Sequence, residues 1–409
     1  MTDARRVESK QAAPSHFDWR RNFYVIWTAE FVSVVGFSSA VPFLPYYVQA
    51  LGVTAPGQVE LWSGLLDSAH AVTMGILAPV WGSLADRLGH KPMVERAMFG
   101  GALLLGAMAF VANVQQLLFL RIVQGAVTGT VVASMTLVAA GTPSYRRVSA
   151  LGALQMGIYL GASLGPALGG LVADAWGYRA SFLITASLLA VGGVLVATMV
   201  QEVHADSHEG DSRSFAQGIR VVLRSPGVLS VFAVQLLVRS AYRAVTPILP
   251  LFVQILVPHQ ARLSSLVGLV TSASMAASAV GAVVVGRTGD RLGLRKVLAA
   301  CTAACAVCYA LQAMVTSVQQ LTLLRALSGL AMGGVITAVS GTLAKAATDG
   351  YQGTVFGLSS SVVSMAKAVG PMVGGAVAAS WGLRRSFMAA ALGFALAMGV
   401  LAIVKPSHR

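Results

Sequence analysis

Charge is what this sequence has least of. Of 409 residues, 11% are Asp, Glu, Lys or Arg and 56% are hydrophobic. Soluble domains carry roughly 25% charged residues. A chain of this length with so few charges cannot cover a water-facing surface, so the medium for its apolar surface is lipid. Cysteine is nearly absent. Cys301, Cys305 and Cys308 all lie in one apolar run. Cys305-Ala-Val-Cys308 has the C-x-x-C spacing, but it lacks the polar setting and further ligands of a redox or metal site, and reads as small packing residues. There is no G-x-x-x-x-G-K-[ST] loop and no polar stretch large enough for a soluble ATPase, which excludes ATP-driven work by this chain. No His/Asp/Ser or metal cluster at useful spacing supports an enzyme, so neither cofactor nor metal is expected. No cleavable leader is evident either, because the first apolar run is long enough to span and has no small-residue cleavage site.

What the chain does have is long apolar runs. Runs of about 20 residues are candidate transmembrane helices. Twelve are expected, at about 23–48, 60–81, 94–113, 116–139, 149–172, 180–200, 227–254, 263–286, 297–316, 319–343, 353–378 and 385–404. Backbone groups in hydrocarbon must be satisfied internally, so these are helices and not open strands. The longest polar stretch between runs is 201–226. It divides the chain into a tail (1–21), a six-helix half (22–200), a linker (201–226), a second half (227–404) and a short tail (405–409).

The formal charge of +14 invites a nucleic-acid reading, but topology accounts for it. With the N-terminus placed in the cytoplasm, twenty of the 29 basic residues fall on the inner side, while the outer loops hold only Arg179, Arg262, Arg384 and Arg385. The positive-inside rule then puts both termini in the cytoplasm of a multi-pass protein of the cell (inner or plasma) membrane, with no nucleic-acid partner.

The two halves repeat. Asp86-Arg-Leu-Gly returns at Asp290, 204 residues later, and VQQLLFLR from Val114 returns as VQQLTLLR from Val318. Pro42-x-x-Pro45 matches Pro247-x-x-Pro250, and Gly165-Pro166-x-x-Gly169-Gly170 matches Gly370-Pro371-x-x-Gly374-Gly375, both 205 apart. Each half enters from the same side, so the repeats are parallel, related by an axis along the membrane normal.

On these motifs the chain resembles the major facilitator superfamily from about Asn22 to Val404. Gly82-x-Leu-Ala-Asp86-Arg87-x-Gly89-His-Lys91 is similar to that family's loop 2–3 motif, and Arg121-x-x-Gln124-Gly125 to its helix-4 motif. Gly152, Gly161, Gly165, Pro166, Gly169 and Gly170 fall on the helix-5 motif of its antiporter branches. The stretch 36–53 looks most like the twelve-helix drug/proton antiporter branch. The resemblance implies an all-α integral membrane protein of twelve transmembrane helices in two pseudo-symmetric six-helix bundles. It also implies a monomer that exchanges protons for lipophilic or cationic drugs through a cavity formed chiefly by helices 1, 4, 7 and 10.

The loop motif implies a cytoplasmic latch made of Gly82, Asp86, Arg87, Gly89 and Lys91, with Gly286, Asp290, Arg291 and Gly293 as its counterpart. Its glycines would supply close approach and a tight turn. Gly157, Gly161 and Gly165 share one helical face and suit close packing, and Pro166 permits a bend.

Charges inside spans are costly and mark function. Glu30 sits ~15 Å deep in helix 1, where drug/proton antiporters use an acid in proton or cation binding. The second acid of that pattern is missing, and Ser38 stands there. Asp67 and His70 share a face of helix 2. Asp67 lies near the depth of Arg121, so a pair is expected, and His70 is either a relay or a neutral hydrogen-bonding group. Arg239 and Arg243 in helix 7 and Lys367 in helix 11 have three readings: a gate pairing with Glu30 and Asp67, an anion site, or structural hydrogen bonding. Phe37, Phe43, Tyr46, Tyr47, Tyr159 and Tyr242 are candidate cavity walls. The leading expectation is a proton-coupled multidrug exporter working by alternating access. The alternative is an importer of an anionic metabolite that uses the helix-7 arginines.

Overall fold

The computed structural model describes residues 18–202, 226–258, 260, 262–346 and 352–403; the 1–17 and 405–409 tails and most of the 201–226 linker lie outside them. Among the described residues every regular element is a helix. Nine of these helices are long and apolar enough to cross a membrane. One of the nine, Tyr145–Met199, is two spans joined at Gly177, where φ is 81° and ψ 168°. Gln58–Leu88 and His90–Met108 complete the twelve.

We number the spans in chain order. Span 1 is Trp19–Ala40, continued after a turn at Val41–Phe43 by Leu44–Ala50. Spans 2 and 3 are Gln58–Leu88 and His90–Met108. Span 4 comes in two pieces, Val114–Val127 and Thr130–Gly141. Spans 5 and 6 are the two parts of Ser144–Met199 on either side of Gly177. Span 7 is Pro226–Val245 with Leu249–Leu256. Spans 8 to 12 are Leu263–Leu292, Leu294–Gln312, Val318–Ala346, Gln352–Trp381 and Leu383–Ile403.

Spans 1–6 form one bundle and spans 7–12 the other. They meet along two seams, span 2 against span 11 and span 5 against span 8. Small residues allow the seams to close. A Cβ on Gly64 would meet the Pro371 carbonyl, one on Gly268 the Pro166 carbonyl, and one on Gly170 the Ser264 carbonyl. The helix-5 glycines also serve the inside of their own bundle. Gly157 faces Trp27, Gly161 faces Phe31 and Val34, Gly165 faces Val35 and Ser38, and Gly169 faces Ser39. That is one turn of span 5 for each turn of span 1. Gly152, in the same motif, has nothing near it.

Hydrogen bonds between the bundles, among the described residues, run from mid-membrane to the end opposite the Leu88–His90 loop. Ala167 N–H donates to Ser272 Oγ at 3.1 Å. Tyr46 donates to the Pro250 carbonyl at 2.6 Å, and Gln49 Nε2 to Gln254 Oε1 at 3.2 Å. Asp174, near the end of span 5, accepts from Ser264 N–H at 3.0 Å and from Ser265 N–H at 2.7 Å. It thereby caps the first turn of span 8, where helix N–H groups have no partner of their own.

Candidate functional site

Between the bundles lies a cavity of about 300 Å³. Its walls include Phe37, Ser38 and Pro42 of span 1, Tyr242 and Arg243 of span 7, and Arg325 of span 10. Spans 5 and 8 also reach it, through Pro166 and Thr271 among others. Of the expected aromatic walls, Phe37 and Tyr242 face this space. Phe43, Tyr46 and Tyr47 are buried in helix packing instead, and Tyr159 is exposed.

The intramembrane charges fall into three groups. Glu30 is 0% exposed. Its Oε1 accepts from Thr130 Oγ1 at 3.2 Å and its Oε2 from Ser134 Oγ at 2.7 Å. Both donors belong to the second piece of span 4, so the carboxyl is held within its own bundle. A gate pairing Glu30 with the helix-7 arginines is therefore absent here: burial and two hydroxyl donors already satisfy the acid.

The second group is built on Arg121, which is 3% exposed. Its Nη2 meets Asp67 Oδ1 at 2.7 Å, Nη1 donates to Gln124 Oε1 at 2.9 Å, and Nε reaches the Leu66 carbonyl at 3.4 Å. Desolvating both charges is costly, and these extra hydrogen bonds offset part of that cost. Arg121 and Gln124 are three residues apart on one helical face, which explains the first and fourth positions of the R-x-x-Q-G motif. The glycine supplies the approach to span 2, since a Cβ on Gly125 would strike Thr73 Oγ1 and the His70 carbonyl. His70 lies beside Arg121 and within electrostatic reach of Lys367. Its Nδ1 is buried without a hydrogen-bond partner among the described residues.

The third group is the cations. Arg239, Arg243 and Lys367 are half-buried and near enough to repel one another. Among the described residues none of the three has a carboxylate within ion-pair distance. Arg243 also acts electrostatically on Asp67 across the seam, so Asp67 is the acid of the first bundle that faces these cations. Arg325, the repeat mate of Arg121, has no carboxylate within ion-pair distance among the described residues; its Nη1 donates to the Tyr309 hydroxyl at 3.0 Å, and it lies over the Tyr242 ring.

The loop motif is only partly as expected. Gly89 takes φ 95° and Gly293 φ 85°, turns that favour glycine. Gly82 has no neighbour that a Cβ would meet, and Gly286 has only Thr337 at 4.0 Å, so neither supplies a close approach. Arg87 and Arg291 are exposed. The side chains of Asp86 and Asp290 lie outside the described residues. Lys91 Nζ donates to the Ala197 carbonyl at 2.9 Å, within its own bundle. The partner that sequence reasoning missed is Glu202. It accepts from His90 N–H at 3.0 Å and Lys91 N–H at 2.7 Å, capping span 3. In sequence it stands at the start of the linker, just past the last apolar residue of span 6. Asp174, Thr130 and Ser134 were missed as well. Only a fold that sets span 1 beside span 4 and span 8 beside span 5 gives these residues a role.

The two six-helix bundles around a central cavity have the architecture of a membrane transporter, and the chain belongs to the Major Facilitator Superfamily, whose family model matches residues 26–261 and 263–409. It is 34% identical over 392 residues to the Multidrug resistance protein MdtG of Rahnella sp. (strain Y9602), covering 96% of this chain and 94% of that one. To MdtG of Serratia proteamaculans (strain 568) it is 35% identical over 381 residues, covering 93% and 92%. Among solved structures it superposes on a bacterial homologue of the human lysosomal transporter Spinster with a TM-score of 0.77, at 12% identity and covering 95% of this chain and 97% of that one. On the human organic anion transporter MFSD10 the TM-score is 0.67, at 19% identity, covering 95% and 100%. These two likenesses concern the fold.

Proposed function

We propose that the chain is a proton-coupled multidrug exporter of the cell membrane that works alone by alternating access. Its relatives named as multidrug resistance proteins support the export of drugs. The observation that supports proton coupling is Glu30, a carboxyl sealed in the membrane interior and held by two hydroxyls. An acid placed there serves as a binding site for a proton. The halves 22–200 and 227–404 would rock about the seams of spans 2/11 and 5/8. With both termini in the cytoplasm, the end closed by Tyr46, Asp174 and their partners is the outer one, so this conformation faces inward. Asp86 and Asp290 would belong to an inner latch used in the opposite state.

The test is transport of a fluorescent lipophilic dye into inverted membrane vesicles with an acid interior. Dye should accumulate with the parent and fail to accumulate with Glu30→Gln. Accumulation that ignores the gradient, or survives Glu30→Gln, overturns proton coupling through this residue.

The cations favour a second reading of the cargo. Arg239, Arg243 and Lys367 face the interface without a partner carboxylate among the described residues, which suits a lipophilic cargo carrying an anionic group better than a cationic one. The direction of transport can still be outward. Replacing both arginines by Gln should weaken competition by an anionic dye at least tenfold while leaving a neutral dye unaffected. Equal effects on both dyes would sink this reading.

A further inference from the structure

The two repeats serve as controls for each other, and one feature occurs in only one of them. Span 4 stops at Val127. Thr128 turns to φ −81°, ψ 175°, Gly129 takes φ 139°, ψ 34°, and a new helix starts at Thr130. Its mate, span 10, runs unbroken from Val318 to Ala346. A break inside the membrane frees backbone groups, each of which needs a partner. Here partners are provided. Trp81 Nε1 donates to the Ala126 carbonyl at 2.6 Å, while the Gln124 carbonyl keeps its helical bond from Thr128 N–H at 2.9 Å and also accepts from Thr128 Oγ1 at 2.8 Å. The break is thus supported by side chains around it.

What else is special to this repeat lies at the same place. The offset of 204 pairs Trp81 with Val285, Thr130 with Gly334 and Ser134 with Ala338; the offset of 205 pairs Glu30 with Gln235. The second repeat therefore lacks the indole, both hydroxyls and the acid, and it also lacks the break. Gln235 bonds instead to Ser359 of span 11, with Nε2 donating at 2.9 Å. Glu30 sits beside the first turn of the restarted helix, where N-terminal N–H groups favour a negative charge. Around Glu30 the elements packed on span 1 are spans 4, 5 and 6. They bring the two hydroxyls to the carboxyl, and among the described residues no charged side chain pairs with it.

We propose that the broken span 4 is the proton-responsive element: Thr130 and Ser134 are positioning residues that hold ionised Glu30 against its second piece, and a proton on Glu30 releases that piece. This rests on proton coupling through Glu30. The step is a proton passing from water to a carboxylate oxygen, giving a neutral acid. The acid accepts hydroxyl hydrogen bonds more weakly than the carboxylate did. The Thr130–Gly141 helix, no longer tied to span 1, is then free to pivot at Gly129 and carry the change to its far end at Thr142.

The experiment uses the full chain with Cys301, Cys305 and Cys308 replaced by Ala, in lipid nanodiscs. Spin labels at Tyr145 and Leu292, both exposed near the Leu88–His90 end, report the distance between the bundles as pH is varied from about 5 to about 9. The parent should switch between two distances with one midpoint, and Glu30→Gln should not switch. The variant Thr130→Val/Ser134→Ala removes donors to the charged form and should move the midpoint up by about one pH unit. Thr130→Ser keeps the hydroxyl and should behave as the parent, which separates bonding from shape. An unmoved midpoint in the double variant, with the response still abolished by Glu30→Gln, refutes the role of span 4 and leaves proton coupling standing. A parental response in Glu30→Gln, or none in the parent, refutes the coupling itself.

Discussion

The carboxylate of Asp174 in span 5 crosses the bundle interface to Ser265 of span 8, accepting from its backbone N–H at 2.7 Å and its hydroxyl at 2.6 Å. With Ser264 N–H it makes a helix cap whose two parts belong to different bundles. A cap of this kind contributes about 1–2 kcal/mol. Because it exists only while this end is closed, Asp174→Ala should shift the population toward the form open here by roughly 5- to 30-fold. A cysteine at Thr246, which lines the cavity, should then react faster with an impermeant maleimide added from this side. Asp174→Asn retains an acceptor and should give a smaller effect. Unchanged reactivity in both variants would show that the cap does not hold the closed state.

The buried pair Arg121–Asp67 predicts a loss of stability. Removing one member leaves the other charge buried and alone, at a cost of about 3–5 kcal/mol. Arg121→Gln and Asp67→Asn should each lower the thermal unfolding midpoint in detergent. The double variant should cost less than the sum of the two, because the residues share one contact. Additive losses would mean that the pair is held by other partners.

The cation cluster predicts the opposite sign. Lys367 adds a third positive charge beside Arg239 and Arg243, so neutralising it relieves repulsion. Lys367→Gln should raise the unfolding midpoint of the cargo-free protein by about 2–4 °C, the amount expected for about 1 kcal/mol in a chain larger than a small domain. It should also weaken binding of an anionic dye. A fall in the midpoint would place Lys367 among residues that the fold needs.

Most of the architecture was legible because membrane helices are written in composition and spacing. The repeat offset alone placed Pro42 with Pro247 and Arg121 with Arg325, and co-planar depth was enough to bring Asp67 to Arg121. The charges were legible as anomalies, but their partners were not. Glu30 is satisfied by Thr130 and Ser134 from span 4, and ordinary hydroxyls in an apolar run carry no mark of that contact. Gly129 is, by sequence, one more small residue in such a run, while its φ of 139° ends a helix. Asp174 and Glu202 stood at helix ends, where acids are common, and only the third dimension showed whose N–H groups they cap. Gly82, expected to permit close approach, faces open space in this conformation.

Gly152 and Gly169 belong to one sequence motif, and the structure separates them. A Cβ on Gly169 would overlap the Ser39 carbonyl oxygen and Cα, both backbone atoms that cannot rotate away. A Cβ on Gly152 would meet nothing within 4 Å. Gly169→Ala must push spans 1 and 5 apart, an overpacking cost of about 1–3 kcal/mol. In span 5 this falls close to the seam with span 8, since the next residue, Gly170, packs on Ser264. The variant should therefore both lower the unfolding midpoint and slow dye transport. Gly152→Ala should leave transport unchanged and, by helix propensity, stabilise slightly, by up to about 1 kcal/mol. If the two substitutions were equally harmful, the motif would act through something other than packing, such as a conformation that exposes Gly152 to a neighbour in the other state of the cycle.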